Sequence, residues 1–202
     1  MNVDTRNRIL MTAMELFWEK GYGSTSIADI LSRSQVHSGS LYHFFPGKQD
    51  VLVGVLELYR DGIDDWLLKP NWDGVDDPID RIFALLDGYR KQLIVTDCVY
   101  GCPIGNIALE IHEPDPQVRL LLAANFENWS RAVERCLDGA ADRLPVDTDR
   151  AALAEYILTV MEGAVMQART FRELGYFDRN IAVLKQHVTL LEEKARLETI
   201  AA

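Results

Sequence analysis

Long apolar runs are missing from this 202-residue chain; a stretch such as Leu120 to Ala124 is as far as they extend. A bilayer-spanning helix needs about 20 consecutive apolar residues, so no such span is expected. The opening MNVDTRNRIL lacks the apolar segment of a secretory signal, which makes the cytoplasm the expected compartment. Cysteine is scarce. Cys98, Cys102 and Cys136 cannot close into a set of internal disulfides and read as reduced thiols. Seven prolines and 13 glycines are too few for a fibrous or low-complexity chain. Apolar residues are not short in supply: at 48% they exclude a disordered polymer.

Net positive charge is also absent. The formal charge is −10, which excludes a protein that coats nucleic acid through bulk charge. Residues 1–60, however, hold six cations and six anions, so the excess acid falls entirely on the remainder. A neutral head on an acidic body can still approach a polyanion if its cations share one face; otherwise the acid serves solubility.

What the chain does have is helical periodicity. Ile9, Leu10, Ala13, Leu16 and Phe17 recur at helical spacing, with Gly21 and Gly23 closing the helix. Ser26, with Asp29 three positions on, predicts a capped second helix carrying Ile27, Ile30 and Leu31. After a break at Ser34–Val36, a short helix is predicted from Ser38 to Phe44, stopped by Pro46 and Gly47. A long amphipathic helix should run from Lys48 to about Leu68, followed by a loop over 69–77. Asp77-Pro78 and Asp115-Pro116 are matching start signals, and Thr148 opens a further helix that Gly175 ends. The last helix is expected from Asp178. About nine helices and no period-2 strand predict an all-α fold.

Residues 26–48 carry the most specific chemistry. The helix that begins Ser38, Gly39, Ser40 has a small, hydroxylic N-terminus, which suits close approach and anion binding. Tyr42 and His43 follow one turn on, and Lys48 stands at a helix N-terminus, where a cation does nothing for helix stability. This spacing fits a helix-turn-helix whose second helix enters a major groove, and equally a three-helix core with solvated polar residues.

The runs T-S-I-A-D-I and S-G-S-L-Y-H-F-F-P-G-K-Q-D-V-L resemble the DNA-binding head of the tetracycline-repressor (TetR) family of bacterial regulators, from about Arg6 to Leu56. The resemblance implies a homodimer on a palindromic operator, released when a small ligand enters the C-terminal domain. It divides the chain into a DNA-binding domain, 1–48, and a ligand-binding and dimerisation domain, 49–202. It implies phosphate contacts from Thr25 and Ser26. Val36, His37, Ser38, Gly39 and Ser40 would face the groove, and Tyr42, His43 and Lys48 would hold the backbone. Three positions depart from the family's common pattern. Leu31 stands for Ala, Gln35 for Gly, and Ser38 for Lys or Arg, and the last of these should alter operator preference.

In the body, Ile181, Leu184, Val188 and Leu191 form a narrow seam, and Gly163, Ala164 and Ala168 permit close approach on the preceding helix. These two helices are expected to pair with their symmetry mates as a four-helix bundle. Tyr89, Phe126, Trp129, Met161, Met166 and Phe171 are candidates to line a ligand cavity. The segment D-C-V-Y-G-C-P-I-G-N-I-A-L-E looks like a loop from one branch of the family. Some family members sense thiol-reactive compounds, so Cys102, with Asn106 beside it, is a candidate ligand-site thiol; the alternative is an inert thiol in a tight turn. Cys98, Cys102, Glu110 and His112 lack the second close ligand pair of a zinc site, and no nucleotide-binding or hydrolase motif occurs. No cofactor and no enzymatic activity are therefore expected. The rival reading is an all-helical small-molecule-binding module that never touches DNA.

Overall fold

A computed structural model describes residues 3–201, and every regular element in them is helical. The α-helices are α1 (Val3–Lys20), α2 (Ile27–Ser34), α3 (Ser38–Phe44), α4 (Lys48–Ile63), α5 (Lys69–Trp72), α6 (Pro78–Val95), α7 (Pro103–Glu110), α8 (Pro116–Gly139), α9 (Arg150–Phe171) and α10 (Gly175–Ala201). A π-turn, Asp64–Leu68, joins α4 to α5, so the helical run from residue 48 to 72 is unbroken.

The chain forms two compact units that do not follow a division after residue 48. One comprises Met1–Gly62 and Cys102–Phe126; the other comprises Ile63–Gly101 and Glu127–Ala202. The first is wider than a 48-residue head because its core needs more than three helices. Ile9, Leu16, Leu41 and Leu52 are closed over by Ile107 and Val118 from the later segment. Helix α4 lies close on α1 at Gly54, where a Cβ would sit 2.7 Å from Leu10 Cδ2. The buried Asn125 amide donates to Leu56 O (3.0 Å) and Leu121 O (2.8 Å), fixing α8 to α4 within this unit.

The second unit has its own core, from Ile82 and Leu86 on α6, Val133 and Leu137 on α8, Ile157 and Met161 on α9, and Leu184 and Val188 on α10. Asp77 caps α6 by accepting the Ile79 and Asp80 N–H groups, both at 2.9 Å. Its other oxygen meets Arg143, whose guanidinium also holds Glu192 at 2.6 Å. Arg90 and Asp178 pair through two hydrogen bonds at 2.7 and 3.1 Å, tying α6 to α10.

Three sequence-based boundaries are corrected. The expected 69–77 loop begins with helix. The π-turn widens the helix ahead of Pro70, whose ring would clash with a regular turn, and Asn71 Nδ2 donates to Leu67 O at 2.7 Å. Gly175 does not end α9. Arg172 takes the left-handed cap (φ 54°), its guanidinium donating to Cys98 O at 2.8 Å, and Gly175 opens α10. Asp149 rather than Thr148 caps α9.

Ser26 and Asp29 form the expected reciprocal cap of α2: Asp29 N–H reaches Ser26 Oγ at 3.1 Å, and Asp29 Oδ2 accepts Ser26 N–H at 2.8 Å. The Asp29 carboxyl falls from 3.8 to about 2, first through the Ser26 hydroxyl, then the Ser26 backbone N–H, with a smaller effect from Lys20. A value depressed in the folded state means the carboxylate's contribution is complete above the unfolded value and is lost as pH falls toward 2. The stability gap between wild type and Asp29→Asn in urea melts should therefore be constant near neutrality and shrink between about pH 4 and pH 2. A gap undiminished at the acid end would contradict this account of the cap.

Candidate functional site

The α2–α3 pair presents a short polar helix on an apolar anchor. Gln35 ends α2 in the left-handed conformation (φ 53°, ψ 38°), the geometry for which glycine is commoner, so the turn is retained in spite of the substitution. His37 precedes α3 in extended backbone with no side-chain cap bond. Leu41 is fully buried and fixes α3 against the core. His37, Ser38, Gly39, Tyr42 and His43 are exposed and Ser40 is half-buried, so these residues form one accessible surface.

Gly39 is notable for what does not surround it. A Cβ built there meets no atom within 4 Å, and its φ is not positive. Neither packing nor backbone geometry within this chain calls for glycine, although glycine in a helix is less stable than alanine.

Three residues expected at DNA turn inward. Thr25 is 1% exposed, its hydroxyl directed at the carbonyls of Gly21 (2.8 Å) and Leu16 (3.3 Å). Val36 is buried in the core of the first unit, since the residue after the left-handed turn must anchor α3. Lys48 donates to Tyr22 O (2.9 Å) and Thr25 O (3.0 Å), with its ammonium 4.3 Å from the Tyr22 ring centroid. That gives a cation at a helix N-terminus an internal purpose, holding the α1–α2 turn. Ser26 stays exposed, but its hydroxyl is engaged with Asp29 (2.6 Å).

The candidate effector residues separate. Cys102, Asn106 and Phe126 belong to the first unit, and Tyr89, Trp129 and Met161 to the second. Cys102 is the N-cap of α7: its buried Sγ accepts the Gly105 N–H at 3.4 Å, with Pro103 at the first helical position. Asn106 and Phe126 are half-buried. Tyr89, Trp129 and Met161 are buried in the core of the second unit, and Trp129 Nε1 has no hydrogen-bond partner among the described residues. Met166 and Phe171 do not line an interior: they are 53% and 58% exposed on the outer side of α9, and Phe171 stacks on Tyr176 at 4.1 Å. Burial raises the Cys98 and Cys136 thiols above their ordinary value. No group of three or more potential metal ligands occurs among the described residues.

The expected dimer seam is also turned inward. Ala164, Ala168, Leu184 and Val188 are buried, and Ile181 and Leu191 are half-buried against the same core, because α9 and α10 need these residues to pack within one chain. A second stripe faces outward. On α10, Val183, Leu190 and Leu197 are each more than 60% exposed and seven residues apart. On α9, Tyr156 and Met166 are exposed on either side of Gly163, whose absent Cβ would meet nothing within 4 Å. Tyr156 and His187 meet edge to face at 6.0 Å between centroids, so the two outer stripes are adjacent.

A capped helix, a left-handed turn and a short helix with an accessible polar surface define this as a helix-turn-helix protein with a larger helical body. The description "Bacterial regulatory proteins, tetR family" matches residues 9–55, and "Tetracyclin repressor-like, C-terminal domain" matches residues 78–184. An uncharacterized HTH-type transcriptional regulator of Mycobacterium tuberculosis is 31% identical over 178 residues, covering 86% of this chain and 88% of that protein. The HTH-type transcriptional repressor DhaR of a Mycobacterium species is 25% identical over 181 residues, with 89% of each chain covered. The crystal structure of regulatory protein TetR from Rhodobacter sphaeroides superposes with a TM-score of 0.81 at 26% identity, covering 90% of this chain and 97% of that one. The chain belongs to the TetR family and is a transcriptional regulator; these relatives are regulators, not enzymes. No described helix is long and apolar enough to cross a membrane.

Proposed function

We propose that this protein is a cytoplasmic repressor that binds a palindromic operator as a homodimer and leaves it when a small or thiol-reactive effector binds. The observation that carries the reading is the accessible α3 surface built on Ser38, Gly39, Ser40, Tyr42 and His43, with a glycine that nothing inside the chain requires. Small residues and a helix N-terminus admit phosphate and base edges, and Tyr42 and His43 supply polar-tipped rings one turn on. A palindrome needs a two-fold protein, and the outward stripe of α9 and α10 offers a self-complementary apolar face for one.

The G-C-P-I-G-N segment is assigned to effector sensing through Cys102 and Asn106. The Gly105 N–H directed at Sγ leaves a donor in place for negative charge developing on sulfur. In the second unit, the orphaned Trp129 N–H beside Tyr89 and Met161 in the same core supports an effector that is mostly apolar and carries a hydrogen-bond acceptor.

Selection of bound duplexes from a genomic pool tests the reading. A palindromic sequence should emerge, with affinity falling steeply as salt rises. N-ethylmaleimide added to the complex should release the duplex, with Cys102 the cysteine found alkylated by mass spectrometry. A protein that retains no duplex at low salt is the helical ligand-binding module of the rival reading. If Cys98 or Cys136 is alkylated while Cys102 is spared, the thiol role is refuted.

A further inference from the structure

The singled-out segment ends on Glu110, a residue with no assigned purpose. Its position is unfavourable for its own helix: a carboxylate in the last residue of α7 faces the negative end of the helix dipole. The carboxylate instead spans to the turn between α1 and α2. Oε2 accepts the Tyr22 N–H at 2.9 Å and Oε1 accepts the Gly23 N–H at 2.6 Å. Two successive backbone N–H groups that converge on one anion form a concave site for it.

The turn is built to admit this carboxylate. A Cβ on Gly23 would lie 2.8 Å from Glu110 Oε1, and one on Gly21 would lie 3.1 Å from Oε2. Gly21 also needs glycine for its backbone, at φ 88°, but Gly23 does not have a positive φ. The approach of Glu110 is therefore what the structure offers as the reason for glycine at position 23. From the other side, Lys48 holds the carbonyls of Tyr22 and Thr25. A four-residue turn is thus fixed by an anion on its N–H groups and a cation on its C=O groups. Directly after it, Ser26 caps α2, and α2 carries the turn that sets α3.

We propose that Glu110 is a positioning residue for operator binding: it locks the α1–α2 turn, and through it the start of α2, to α7. This deepens the DNA-binding reading and rests on it. Helix α7 is a strut of eight residues, about 12 Å long, with the Cys102 cap at one end and Glu110 at the other. Without the carboxylate the turn is held from one side only, and binding DNA must then order it.

The test uses the full-length protein and the duplex recovered by wild type. Glu110→Ala should weaken binding about tenfold, near the value of one charge-assisted hydrogen bond. Gly23→Ala should weaken it similarly, because its methyl displaces the carboxylate without removing the charge. Glu110→Gln keeps one acceptor oxygen and should fall between. Leu109→Ala, at an exposed neighbouring position, should bind as wild type does. Hydrogen exchange at the Tyr22 and Gly23 amides should accelerate in Glu110→Ala while amides in the middle of α1 keep their protection. Wild-type affinity in both Glu110→Ala and Gly23→Ala overturns the proposal, as does tighter binding in either. Weakening in Glu110→Ala alone also overturns it, because that pattern marks an effect of charge and not of the lock. Failure of wild type to bind any duplex refutes the DNA-binding reading, a separate result.

Discussion

Gly39→Ala should make the protein more stable and a worse DNA binder. Alanine is favoured over glycine within a helix by up to about 1 kcal/mol, and the new methyl enters space that is empty for 4 Å around. Thermal unfolding should therefore rise or hold steady. Operator affinity should fall about tenfold or more, ~1.4 kcal/mol, because the methyl is added to the exposed surface of α3 proposed to enter the groove. Opposite signs in the two measurements distinguish an interface from a folding defect. A variant that is stabilised and binds the selected duplex with wild-type affinity would remove α3 from the contact. Two measurements suffice, a melting curve and a titration with the recovered duplex.

The sequence made much of this head legible, for identifiable physical reasons. Helix starts that rest on local chemistry, Ser26 with Asp29 and Asp77 with Pro78, occur where the spacing puts them, because the cap and the capped amides lie within three residues. The left-handed Gln35 follows from the family's usual glycine at that place, and the conformation is kept without one. What stayed hidden depends on residues far apart in the chain. Lys48 reads as a surplus cation until the carbonyls of Tyr22 and Thr25 are brought to it from more than 20 residues away. Glu110 is 87 residues from Gly23, and no local pattern joins them. The family resemblance implies a phosphate contact for Thr25 and a groove position for Val36; both side chains are buried in this chain, and burial is something a motif match does not report. The α9–α10 pair shows a different failure. The seam of Ile181, Leu184, Val188 and Leu191 reads from spacing as a pairing surface, yet one face of a terminal helix has to pack on its own chain first. The spare stripe is Val183, Leu190 and Leu197, which burial within one chain leaves exposed.

That spare stripe carries the largest expected effect. Leu190→Asp should leave the protomer folded, because Leu190 is 61% exposed within one chain, whereas Leu184→Asp should unfold it, because Leu184 is 1% exposed in the core of the second unit. In a two-fold pairing each substitution occurs twice, so Leu190→Asp brings two carboxylates to the apolar stripe of Val183, Leu190 and Leu197. Burying an unpaired charge costs several kcal/mol, more than an interface of two helices per subunit can absorb. Wild type should sediment at about twice its 22.9 kDa, and the variant at the monomer mass with wild-type helicity by circular dichroism. Operator binding should then fall about 100-fold or more, ~2.7 kcal/mol, since one head must hold a half-site without its mate. A Leu190→Asp protein that remains dimeric would move the pairing surface elsewhere. One that is monomeric yet binds the full palindrome undiminished would break the link between two-fold pairing and operator recognition.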